Sequence, residues 1–79
     1  MNTTKTKTKN KEIIYYETEP DITIIQEIVN GYFTIIPLTK NKSMYVDEEG
    51  ELKELKVNVK ATEIVGYNIY GNVLIVGSE

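Results

Sequence analysis

The chain contains no cysteine, no histidine, no tryptophan and no arginine. Each absence removes a class of chemistry. Without cysteine there is no disulfide, no thiolate metal ligand and no thiol nucleophile. Without histidine as well, there is no imidazole base, no Ser–His or Cys–His pair and no ordinary zinc site. Without arginine there is no bidentate fork for phosphate, carboxylate or guanine. No apolar run is long enough to span a bilayer. The opening MNTTKTKTKNK has no apolar core of the kind a secretory signal carries, so a cytoplasmic location is the expectation. No enzymatic activity, metal or cofactor is expected.

What is present fits one small domain. The chain has 79 residues, with 41% hydrophobic and 27% charged side chains. A domain of this size hides only about 60% of the surface its unfolded chain exposes, so its own core is thin. Self-association is one common remedy, and a homo-oligomer is expected.

Charge is unevenly placed. The net charge is −3. Lys5, Lys7, Lys9 and Lys11 lie in the first eleven positions, where no acid occurs, and every Asp and Glu lies after them. Residues 1–11 alternate Lys and Thr after the start and hold no apolar residue beyond Met1, so they are expected to form a disordered basic arm. Lysines without arginine or aromatic partners make a weak nucleic-acid tether, and strong direct nucleic-acid binding is not expected.

Residues 12–79 are read as a single α+β domain. Glu12 to Thr18 (EIIYYET) predicts a strand with both faces partly covered. Asp21 is predicted to cap a helix whose Ile22, Ile25, Ile28 and Val29 share one face, closed by Asn30-Gly31. Tyr32 to Leu38 predicts a strand, with Pro37 marking an edge or an end. Met44-Tyr45-Val46 opens a third strand, and Gly50 is expected to supply a positive φ in the turn after it. A helical turn and an irregular strand fit Glu51 to Val57 equally well. Asn58 is predicted to cap a short helical segment through Ala61 and Ile64. Val73-Leu74-Ile75-Val76 predicts a central strand covered on both faces. The expected architecture is a small four-stranded mixed or antiparallel sheet. One main helix lies on one face, and the other face needs the second short helix or a partner.

Two groups of side chains stand out. Asp47, Glu48, Glu49 and Glu51 concentrate negative charge at one turn. They lack the spaced ligands of a calcium loop, and a solvated acidic hairpin is the plain reading. The sharper reading makes them a partner-binding surface for a basic protein. The tyrosines have an apolar body and a polar tip, suited to packing in half-exposed sheets and to stacking on ligand rings. With asparagine amides nearby in sequence, Tyr45, Asn58, Tyr70 and Asn72 form a candidate ligand pocket.

Four blocks taken in order also resemble a known family. They are Val29-Asn30-Gly31-Tyr32-Phe33 with Ile36-Pro37-Leu38, then Tyr45-Val46-Asp47-Glu48-Glu49-Gly50, then Asn58 with Ala61-Thr62, then Gly71 to Gly77. Together they resemble a small family of unknown function found on phages and plasmids. The sequence departs from its pattern at Asp47, where the family often carries Asn. The resemblance implies a phage or mobile-element accessory protein in an infected bacterial host, most simply one that inhibits a host defence or regulatory protein by binding it. The alternatives are an oligomeric sponge for a small nucleotide signal and a phage assembly accessory.

Overall fold

The computed structural model describes residues 12–77. The expected arm over residues 1–11 lies outside them. Six elements follow in order: β1 (Ile13–Tyr16), α1 (Ile22–Val29), β2 (Phe33–Thr39), β3 (Lys42–Asp47), α2 (Val59–Val65) and β4 (Val73–Gly77). The four strands form one mixed sheet in the order β1-β4-β3-β2. β1 runs parallel to β4, while the β4–β3 and β3–β2 pairs are antiparallel. The start of β1, the start of β2, the start of β4 and the end of β3 therefore share one end of the sheet.

Side-chain alternation divides the core in two. Met44, Val46, Val73 and Ile75 point to one face, where Ala61 of α2 and Ile69 bury them. Tyr45 and Leu74 point to the other, under Ile25 and Val29 of α1. Phe33 packs beside Tyr45 with ring centroids 5.4 Å apart. Each fully buried aliphatic side chain contributes about 1.5–3 kcal/mol. That is why the unbroken run in β4 occupies the sheet interior. α2 and the chain after it thus cover the second face, which removes an open sheet face as a reason for self-association.

The helices end as their caps dictate, with two corrections. At the start of α1, Asp21 holds the cap position without a side-chain hydrogen bond; its carbonyl accepts from Ile24 and Ile25 N–H instead. At the other end Asn30 takes the left-handed cap conformation (φ 75°), and Gly31 after it also has a positive φ (142°). Pro37 lies on an edge strand, as its missing N–H requires. The stretch before α2 is neither helix nor regular strand. It is a series of turns that ends in an isolated bridge from Val57 to Tyr70.

Candidate functional site

The turn after β3 is fixed from several sides. Asp47 Oδ1 accepts from Glu49 N–H at 2.8 Å, and Asp47 Oδ2 pairs with Lys53 Nζ at 2.9 Å. The same ammonium donates to the Asn30 carbonyl at the end of α1, at 2.7 Å. Backbone bonds from Gly50 N to Asp47 O, Lys53 N to Glu49 O and Leu55 N to Gly50 O close the loop on itself. Glu48 N–H donates to Tyr32 O and ties the turn to β2.

This geometry separates the four acids that the sequence groups together. Asp47 is buried, with its carboxylate bonded to Lys53 and Glu49 N–H. Its role is to hold the turn. Glu48, Glu49 and Glu51 are exposed. Lys53 is the residue the spacing did not reveal. It sits among Glu49, Glu51 and Glu54, and its only sequence signal is being the one cation in that stretch. Gly50 is needed for closeness rather than for a positive φ: a Cβ there would lie 3.0 Å from Tyr70 Cβ and 3.1 Å from Tyr70 O.

Beside the turn lies an open cleft of about 390 Å³. Its lining includes Glu48, Gly50 and Glu51 of the turn, Tyr67, Asn68 and Tyr70 from the chain after α2, and Ile36 and Val46 of the sheet. Tyr67 is 56% exposed. The Asn68 amide and the Tyr70 hydroxyl lie 3.5 Å apart at the rim. The cleft thus joins two carboxylates to two phenol rings, a combination that suits an ammonium or guanidinium group: charge attraction from the acids, ring faces for the cation.

The pocket expected from Tyr45, Asn58, Tyr70 and Asn72 does not assemble. Tyr45 points to the α1 face, opposite the cleft that Tyr70 lines. Burial, then the charge of Glu19 and a hydrogen bond to it, raise its hydroxyl pKa above the ordinary value of 10.0. Asn58 is buried, and its amide is fully used. Oδ1 accepts from Ala61 N–H at 3.0 Å, and Nδ2 donates to the carbonyls of Glu12 (2.9 Å) and Gly71 (2.8 Å). Asn72 lines a separate groove with Leu55, Lys56 and Gly71. Of the four, only Tyr70 belongs to the cleft.

Among the described residues no three Asp or Glu side chains converge as a metal cluster would, and no helix is long and apolar enough to cross a membrane. A family model for a domain of unknown function (DUF3846) matches residues 5–79. No curated protein and no solved structure matches the chain.

Proposed function

The chain belongs to the DUF3846 family, a domain of unknown function, and we propose that it is a non-catalytic binding protein that recognises a cationic protein surface. The contact surface is the turn of Glu48, Glu49 and Glu51 with the adjoining Tyr67–Tyr70 cleft. One observation carries this reading: the buried Asp47 carboxylate, paired with Lys53, braces the turn while three carboxylates around it stay exposed. Like charges this close repel, so a fold that fixes them together pre-organises a field for an opposite charge. In the phage or mobile-element setting that the sequence blocks imply, such a surface serves an inhibitor that occludes a basic host protein. A nucleotide sponge fits less well, because the cleft wall is acidic and would repel phosphates.

The test is a pull-down from host lysate with the protein and its Glu48→Lys/Glu49→Lys/Glu51→Lys variant, with circular dichroism of both. The variant is expected to keep its spectrum and lose the partner. Unchanged recovery of the partner by the folded variant contradicts the proposal.

A further inference from the structure

Asn30 is the one asparagine in the chain that precedes a glycine. Asparagine amides are chemically labile, and the attack that consumes them comes from the next backbone nitrogen. A glycine at that place brings no side chain to obstruct the approach. The pair closes α1, and Asn30 is exposed. Asn58 offers no such route: it is buried, its amide is bonded on both atoms, and Val59 follows it.

The helix cap holds this reaction back in two ways. Gly31 N–H, whose nitrogen is the nucleophile, donates to the Gln26 carbonyl at 2.9 Å. Lys53 Nζ donates to the Asn30 carbonyl at 2.7 Å. The dihedral angle is the second restraint. A cyclic imide needs the Asn30 Cβ and the Gly31 nitrogen on the same side of the Asn30 Cα–C bond. At the Asn30 ψ of 40°, tetrahedral geometry sets them nearly opposite one another. Cγ cannot meet the nitrogen until that bond turns. Turning it swings Gly31 N–H away from Gln26 and the Asn30 carbonyl away from Lys53.

We propose that Asn30 is a spontaneous modification site gated by the cap of α1, and that it reacts only when the cap opens. The Gly31 nitrogen gives up its proton and bonds to Asn30 Cγ, and the side-chain nitrogen leaves as ammonia. Water then opens the imide. Addition at Cγ breaks the new C–N bond and leaves aspartate at position 30. Addition at the main-chain carbonyl breaks the original peptide bond and leaves isoaspartate, with the chain now running through Cγ. In that second product the carbonyl oxygen that Lys53 holds becomes part of a free carboxylate. This carboxylate competes with Asp47 for the ammonium, so the modification loosens the brace between the end of α1 and the turn after β3.

The test incubates the whole chain in mildly alkaline buffer, with and without denaturant. Ammonia release is measured, and peptide mapping follows aspartate and isoaspartate at position 30. Hydrogen exchange of the native protein reads the Gly31 N–H in parallel. In denaturant, Asn30 is expected to be consumed ahead of every other asparagine. In the native protein the reaction is expected to slow by about tenfold or more, in step with the protection of Gly31 N–H, because one local opening releases both. Lys53→Met is expected to raise the native rate and lower that protection together, with no change in denaturant. The wild-type comparison decides the proposal even where that variant fails to fold. Equal rates with and without denaturant, a native rate out of step with Gly31 protection, or first loss at another asparagine overturns it.

Discussion

At position 47 a carboxylate inside a run of acids lies buried, because Lys53 returns to it from six residues on. Sequence spacing treats Asp47 as one more solvated acid; only the turns between 48 and 54 bring the ammonium back. Asn58 is the converse case. Its place before a short helix marked it as a cap, and it caps Ala61 N–H. Its amide hydrogens reach carbonyls 46 and 13 residues away, which no local pattern encodes. Tyr45 gives a titration signature at the same scale. Its raised pKa means the folded state favours the neutral phenol, while the unfolded chain loses that proton near pH 10. The stability it contributes is complete below pH 10 and is lost as pH rises through the folded value. Tyr45→Phe is therefore expected to flatten the fall of chemical-denaturation stability above pH 10. An equally steep fall in both proteins contradicts this assignment.

The elements were legible wherever local chemistry decides them. β4 reads as a buried central strand because its side chains are apolar on both faces, and Val73, Leu74 and Ile75 are buried in turn on alternate faces. α1 reads from the spacing of Ile25 and Val29, and α2 from Asn58 at its start. The order of strands was not legible, since it rests on pairings between distant residues. Nor was the stretch from 51 to 57, which is tied down by Lys53 at Asn30 and by the Val57–Tyr70 bridge. Asn58 joins three elements at once: the start of α2, the entry to β1 through Glu12 and the entry to β4 through Gly71. Asn58→Ala removes the acceptor of Ala61 N–H and the donor to the Gly71 carbonyl, while the Glu12 carbonyl keeps Val73 N–H. The expected cost is about 3 kcal/mol, which lowers the melting temperature by roughly 12 °C or more in a domain of this size. A fall of only a degree or two would mean that water replaces the lost bonds.

For the whole molecule, charge and topology work together. The acidic turn lies at the end of the sheet where β1 begins, and the exposed carboxylates stand on a frame made from β3, the end of α1 and the first turns after β3. The candidate site was half legible in sequence. Glu48, Glu49, Glu51 and Tyr70 were marked by type and spacing, while the division of labour between Asp47 and its neighbours needed the fold. The central claim is that this fixed turn and its tyrosine cleft receive a cationic partner. Nuclear magnetic resonance titration of the whole chain with a lysine- and arginine-rich peptide, at low and high salt, tests it most directly. Backbone shifts are predicted to cluster at Glu48, Glu49, Glu51, Tyr67 and Tyr70 and to shrink as salt screens the carboxylates. Shifts that spread evenly over the acidic surface, or that fall elsewhere and leave the turn and cleft unmoved, would contradict it.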